Sequence, residues 1–237
     1  MPTIECGPES PSYPKWTTLD ALMWLFLPKI AGGGTEYLLA YKDGWVLYNA
    51  RRIKAAAKTH KIPATLLAGV AWEEAGGMPN FVDHVALPVR FFDWSGPSWV
   101  DRNLTITKPP EQTSFGTVSI QLQRAAEEMG IQVNTMSHAS RTGLAQCLES
   151  DTFNIEIVAR HLYGLIVHDY PTADTTTLTD EQTIVAGARY NRGTERALQD
   201  IIQSIDAPAG SPTRPYSEYG RTLIRRRPRI DRLLRQT

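Results

Sequence analysis

Ile62-Pro-Ala-Thr-Leu-Leu-Ala-Gly-Val-Ala-Trp-Glu-Glu-Ala-Gly-Gly77 is the stretch on which the reading of this chain turns. Pro63 stands where a helix begins, because its fixed φ suits the first turn and its missing N–H falls where no intrahelical acceptor exists. Leu66, Leu67, Val70 and Ala71 then recur at helical spacing until Gly76-Gly77 stops the pattern. At about 100° per residue, with Leu66 at zero, the apolar face centres near 70°, Glu74 falls near 80° and Glu73 near −20°. Glu74 thus sits mid-face and Glu73 at its edge. A carboxylate directed at an apolar face in the last helical turn is disfavoured when ionised, by desolvation and by the negative end of the helix dipole. Both effects favour the protonated form, which a general acid working near neutral pH requires. The competing reading is a stray glutamate at a frayed end that reaches water.

Outward from this stretch, the chain reads as mainly α. Residues 1 to about 45 form an irregular lead with turn signals at Gly32-Gly33-Gly34 and Asp43-Gly44 and one short helix near Thr18 to Leu27; residues 46 to 237 form the main domain. Asn49 to Lys58 is Ala-rich and basic. Residues 78 to 113 carry five prolines and the aromatics Phe91, Phe92, Trp94 and Trp99, so a long loop insertion or a small β-hairpin is expected there. Helical patterns follow at Leu122 to Met129, closed by Gly130, and at Phe153 to Val167. Thr179 with Gln182 makes a capping box for a helix running toward Tyr190. Glu195 to Ile205 and Tyr216 to Leu234 complete the set, the last interrupted by Pro228.

Bulk properties exclude several function classes. Lys plus Arg equals Asp plus Glu at 25 each, so no net field draws the chain to nucleic acid or an anionic membrane. The apolar stretch Ala21 to Leu27 is too short to span a bilayer, and no basic residue precedes Lys15, against a signal peptide. A leaderless protein made in the cytoplasm is expected. Two cysteines, Cys6 and Cys147, cannot build a multi-bridge framework, so stability is expected from packing. Neither His60, His84, His138, His161 nor His168 shows metal-ligand spacing, and no cofactor or metal is expected. Cys147 with His161 or His168 is the outline of a cysteine peptidase, but Cys147 lacks a recognisable nucleophile context. Gly-x-Ser-x-Gly and phosphate-binding glycine loops are missing from the sequence. The arginines from Arg221 to Arg235 read as a solvated helix face above Leu223, Ile224, Ile230 and Leu233, with contact to an acidic glycan or a partner as the other reading.

Three segments in order carry a resemblance. Ile62 to Gly77 looks like the catalytic helix of the lysozyme-like superfamily, in its lytic-transglycosylase and goose-type lysozyme branch, where a Pro-started apolar helix ends in Glu-Ser. Glu74 matches the family's catalytic acid and Ala75 replaces the usual Ser. Ser114-Phe-Gly-Thr-Val-Ser-Ile-Gln-Leu122 is similar to the family's Gly-Leu-Met-Gln segment, with Ser119 in place of the cleft-lining Gln. Ala188-Arg-Tyr-Asn-Arg-Gly193 resembles the Ala-Tyr-Asn-Ala-Gly motif, giving Tyr190, with Asn191 beside it, the role of holding the glycan. The likeness covers roughly residues 50 to 225. Thr113 to Met129, Phe153 to Leu162 and Arg189 to Gly193 also look like lysozyme-like toxin domains delivered by type VI secretion.

The resemblance implies cleavage of peptidoglycan glycan strands, with Glu74 as acid and Ser119, Gln121, Tyr190 and Asn191 lining the substrate path. Goose-type lysozymes place an Asp where Gln121 stands, and a Gln cannot serve as a general base. An inverting hydrolase needs a second carboxylate about 6.5 to 9.5 Å from the acid, whereas a lytic transglycosylase needs one Glu. Asp83, Asp93 and Asp101 are candidates for that carboxylate and are equally turn formers. The aromatics of the insertion are candidates for sugar stacking or for packing beneath a loop. Expected partners are peptidoglycan and, for a secreted toxin, an immunity protein or a secretion component, with action in the periplasm of a target bacterium. A phage endolysin and a catalytically inactive glycan- or partner-binding module are the alternatives.

Overall fold

The computed structural model describes Cys6, residues 11 to 76 and residues 113 to 237. Among these described residues are nine α-helices and one two-stranded antiparallel hairpin, so the mainly α expectation holds. The chain divides into two compact units, Met1–Lys42 with Glu74–Ile157 and Asp43–Glu73 with Val158–Thr237.

In the first unit, α1 (Thr18–Phe26) begins with a full capping box. The Thr17 hydroxyl accepts from the Asp20 N–H at 3.3 Å, and the Asp20 carboxylate accepts from the Thr17 N–H at 2.7 Å. Tyr37, near the start of α2 (Thr35–Thr59), donates its hydroxyl to Asp20 at 2.5 Å. Desolvation pushes the Asp20 carboxyl up, but the hydrogen bonds from Thr17 and Tyr37 outweigh it and hold it below the usual aspartate value. The segment before α1 is fastened to the corner between α5 (His138–Leu148) and α6 (Asp151–Asp169). Cys6 is disulfide-bonded to Cys147, Lys15 pairs with Glu149, and the Tyr13 N–H donates to Asp151 at 2.7 Å. Ser12 Oγ accepts from the Asp151 N–H at 3.1 Å, satisfying one orphan donor at the start of α6. The hairpin pairs β1 (Ser114–Phe115) with β2 (Ile120–Gln121) in the register Ser114 to Gln121 and Phe115 to Ile120, and leads straight into α4 (Leu122–Glu128).

The second unit is built from the later part of α2, α3 (Ala64–Glu74) up to Glu73, the later part of α6, α7 (Asp180–Arg192), α8 (Leu198–Ile205) and α9 (Glu218–Arg235). Every residue of α3 from Leu66 to Trp72 is buried. Such a helix is apolar all round, as a core helix must be. The crossing of α7 and α9 is made by glycines. A methyl group at Gly220 would stand 2.0 Å from the Ile184 carbonyl oxygen, and one at Gly187 would stand 2.7 Å from a Leu223 methyl. Backbone meets backbone there.

Several local expectations change. Asp43-Gly44 is no turn, because α2 runs through it, with Trp45, Val46 and Asn49 buried just beyond. Pro228 lies inside α9 without ending it, since Leu223, Ile230 and Leu233 bury the face on either side. The hairpin falls at residues 114 to 121, while residues 78 to 112 lie outside the described residues. The helix expected from Glu195 starts at Leu198. α5 is an addition to the sequence reading, and so is the Cys6–Cys147 disulfide, whose two Cα atoms stand 4.9 Å apart.

Helix propensity alone would make Gly220→Ala stabilising by roughly 1 kcal/mol. The 2.0 Å approach to a backbone carbonyl reverses the sign. We expect a loss of about 1–3 kcal/mol in urea unfolding, and a variant as stable as the parent would contradict this crossing.

Candidate functional site

Glu74 is the last residue of α3 and is half-buried, between the buried Trp72 and the fully buried Ala75. Its neighbour Glu73 is engaged elsewhere. Glu73 Oε1 lies 3.4 Å from Arg226 Nε, and the Arg226 guanidinium sits 4.9 Å from the Trp72 ring centre. A helical wheel separates these two glutamates by face. With all seven residues from Leu66 to Trp72 buried, the wheel loses that discriminating power. After Glu74 the backbone turns sharply. Gly76 has φ +74, and a side chain there would meet Leu38 at 2.8 Å and the Tyr41 ring at 3.2 Å. Tyr41 belongs to an aromatic group in which its ring stands 4.7 Å from Trp16 and 5.4 Å from Tyr13. Burial pushes the Tyr41 phenol above its ordinary value, so it remains a neutral donor, to the Pro14 carbonyl at 2.9 Å. The backbone just after Glu74 therefore packs against the aromatic cluster of its own unit.

Ser119 and Gln121 come together on one short hairpin. Ser119 is half-buried in its turn, and Gln121 is exposed on β2, where its backbone starts α4. The turn is fixed from beneath by Asn154, a fully buried side chain of α6. Its Oδ1 accepts from the Val118 N–H at 2.8 Å and its Nδ2 donates to the Val118 carbonyl at 3.3 Å. Gly116, at φ +77, lies so close that a methyl group would stand 2.5 Å from the Asn154 amide.

Tyr190 and Asn191 share the last turn of α7, the first half-buried and the second exposed. Beside them Arg189 is buried, with Nε and Nη2 donating to the two oxygens of Asp169 at 2.7 and 2.9 Å and Nη1 donating to the Arg196 carbonyl at 2.7 Å. That last bond ties down residues 193 to 197 and explains why α8 starts late. The Tyr190 ring packs between His161, 6.0 Å away, and Tyr219, 6.3 Å away. The predicted residues thus fall into three places: the end of α3, the hairpin, and the end of α7. Asp83, Asp93 and Asp101 lie outside the described residues, as do His84 and the aromatics of the insertion.

Asn154, Asp169 and Tyr219 support these places without being singled out by sequence reasoning, and His161, considered there only as a metal ligand or a partner of Cys147, packs beside Tyr190. Asn154 has a detectable signal, a polar residue flanked by Phe153 and Ile155 in an apolar stripe. Cys147 is in a disulfide, which removes it as a thiol nucleophile. Among the described residues no cluster of His, Cys, Asp or Glu could hold a metal ion. Five of the C-terminal arginines, Arg221, Arg225, Arg226, Arg227 and Arg229, are engaged within the second unit. Arg221 donates to the carbonyls of Ser204 and Ile205 at 3.1 Å, capping α8, Arg229 holds Asp43 through two bonds of 2.8 and 2.7 Å, and Arg227 pairs with Asp180 at 2.6 Å. Their structural use favours the solvated-face reading, with part of the face buried.

No protein-family model, curated protein or solved structure matches this chain.

Asn154→Ala leaves the buried N–H and carbonyl of Val118 without partners. A cost of about 1–3 kcal/mol is expected, together with faster hydrogen exchange at Val118 and its neighbours. Unchanged protection at Val118 would show that the turn is held by something else.

Proposed function

We propose that this protein cleaves the glycan strands of peptidoglycan, acting on the β-1,4 bond between N-acetylmuramic acid and N-acetylglucosamine, with Glu74 protonating the leaving oxygen. The observation that carries this reading is the placement of Glu74. It stands half-buried at the end of a helix whose seven residues Leu66 to Trp72 are all buried, just before the backbone turns at Gly76. A proton donor needs that combination of partial desolvation and a fixed position. The ordered motifs of the lysozyme-like resemblance supply the reaction class. Gln121, exposed and without a carboxylate, supplies no base, which favours the one-carboxylate chemistry of a lytic transglycosylase over an inverting muramidase.

Ser119, Gln121, Tyr190 and Asn191 are proposed as glycan-contacting residues, with Tyr190 and its neighbours His161 and Tyr219 offering aromatic surface to a sugar. The Cys6–Cys147 bond suits an oxidising compartment and so supports action outside the cytoplasm, as for a bacteriolytic antibacterial toxin delivered into a periplasm, with a cognate immunity protein as its natural partner. Among the described residues no helix is long and apolar enough to cross a membrane. A second reading, a glycan-binding module without catalysis, is favoured by one feature: Ala75 and Gln121 both depart from the family pattern while the aromatic group around Tyr190 is intact.

Purified sacculi decide between these readings. Glu74→Gln should reduce release of soluble muropeptides by about 10²–10⁴-fold with unchanged circular dichroism. Full activity in that variant would remove Glu74 from its role. A wild type that binds sacculi without releasing fragments would establish the binding module. Mass analysis of the fragments is expected to give anhydro-muramyl ends; reducing ends would identify a hydrolase.

A further inference from the structure

The second unit contains a cleft of about 250 Å³ that the glycan chemistry does not use. Leu66 and Leu223, both buried, line its apolar base, and its remaining wall includes Thr65, Thr177, Arg227 and Asp231. The polar groups divide into those already engaged and those that are not. Arg227 donates to Asp180 at 2.6 Å and to the Thr183 hydroxyl at 3.4 Å, and Thr183 in turn donates to the Thr179 carbonyl at 2.9 Å. The positive charge in the wall is therefore already matched. Thr65, Thr177 and Asp231 have no side-chain hydrogen bond or ion pair among the described residues. Three oxygen-bearing groups, one of them an unmatched carboxylate, thus line the same cleft as its aliphatic base.

We propose that this cleft binds an aliphatic ammonium group, the methylene stem resting on Leu66 and Leu223 and the three N–H donors meeting Asp231, Thr65 and Thr177. An ammonium presents three donors and no acceptor, which is the complement of this wall. Asp231 supplies the counter-charge, and a charge-assisted bond is the strongest contact available there. Other ligand classes fit less well. A divalent cation wants six or more oxygen ligands with several carboxylates, and the wall contains one unmatched carboxylate. Neither a sugar nor a quaternary ammonium finds an aromatic ring to stack on, since none lines the cleft. An anion would meet Asp231 and an arginine already neutralised by Asp180. The ammonium can be carried by a peptide, as on a lysine or diamino-acid side chain, or by a free small amine.

The test is an NMR titration of the ¹⁵N-labelled full chain with three probes: Nα-acetyl-lysine N-methylamide, n-pentylamine, and the norleucine analogue of the first, which has the stem without the charge. Both amines should give saturable shifts at the amides of Thr65, Thr177 and Asp231, and the norleucine compound should give none. Tighter binding of the lysine compound assigns the site to a peptide-borne amine, and equal binding assigns it to a free one. Asp231→Asn, which keeps shape and removes charge, should weaken the amines about tenfold, or 1.4 kcal/mol, with an unchanged Tm; Thr177→Val, at an exposed position, should weaken them less. Shifts elsewhere only, equal binding of norleucine, or undiminished binding by Asp231→Asn would overturn the proposal. Glu74→Gln should bind both amines as the parent does, so loss of glycan cleavage and loss of amine binding are separable results.

Discussion

A guanidinium taken out of water has to be answered by acceptors in fixed positions, and the end of α7 is organised around that requirement. Arg189 and Asp169 have side chains 1% and 3% exposed, and the two form a bidentate pair. A buried pair of this kind contributes little net stability against an apolar substitute, yet removing one partner costs about 3–5 kcal/mol because the other charge is stranded. Its consequence here is positional. The third guanidinium nitrogen donates to the Arg196 carbonyl, so the chain leaving α7 is committed to one path, with Gly193 at φ +82 making the bend. Tyr190 and Asn191 stand on the turn that this network fixes. Val185, Ala188 and Ile201 form the small apolar core beneath, with Leu198 and Ile202 packed on it. Tyr170, packed on the same core, has its phenol pushed above the ordinary value by burial and then by Glu181, so it remains neutral beside Asp169.

The same logic accounts for the most basic stretch of the chain. Read as charge, residues 221 to 235 look like a patch awaiting an acidic ligand. Read as geometry, they are a set of ties. Arg229 and the Trp72 indole N–H both converge on Asp43, the indole at 2.8 Å, which links α2, α3 and α9 within one unit. Arg226 lies over Trp72 and reaches Glu73. Glu218 accepts from Arg225 and Arg221, and those bonds hold its carboxyl below the usual range. The arginine planar fork suits such multi-acceptor roles better than a lysine would.

Much of this architecture was legible because it rests on short-range rules. The Thr179 and Gln182 capping box appears with both bonds present, at 3.2 and 2.9 Å, and Pro63 precedes α3 as its ring geometry demands. What the sequence concealed is non-local. Asp43-Gly44 has the composition of a turn, but the burial of Trp45 and Val46 and the grip of Arg229 on Asp43 hold those residues in α2. Pro228 breaks an isolated helix; within α9 the apolar anchors on either side outweigh the lost hydrogen bond. α5 was hidden because most of its apolar residues, Leu144, Ala145, Cys147 and Leu148, fall near its C-terminal end. The disulfide was hidden because 141 positions separate its cysteines. Of the site, the positions of Glu74, Tyr190 and Asn191 on helix ends were readable, whereas Asp169, which fixes the turn carrying Tyr190 and Asn191 through Arg189, lies 20 residues away from that arginine and carries no local signature.

The N-terminal segment shows how distant constraints combine. Closing a loop of 141 residues with one covalent bond restricts the unfolded chain strongly, by about 2–5 kcal/mol for a native disulfide. The bond does not act alone: Ser12, Tyr13 and Lys15 add hydrogen bonds and an ion pair to Glu149 and Asp151, so residues 12 to 15 are fastened at the α5–α6 corner. The end of this segment delivers Trp16 to the aromatic group of Tyr37 and Tyr41, and Gly76 closes against that group two residues after Glu74. Each link is a packing or bonding contact within the first unit. The backbone just past the proposed proton donor therefore packs on aromatic residues of its own unit, one of which, Trp16, follows the residues fastened at the α5–α6 corner.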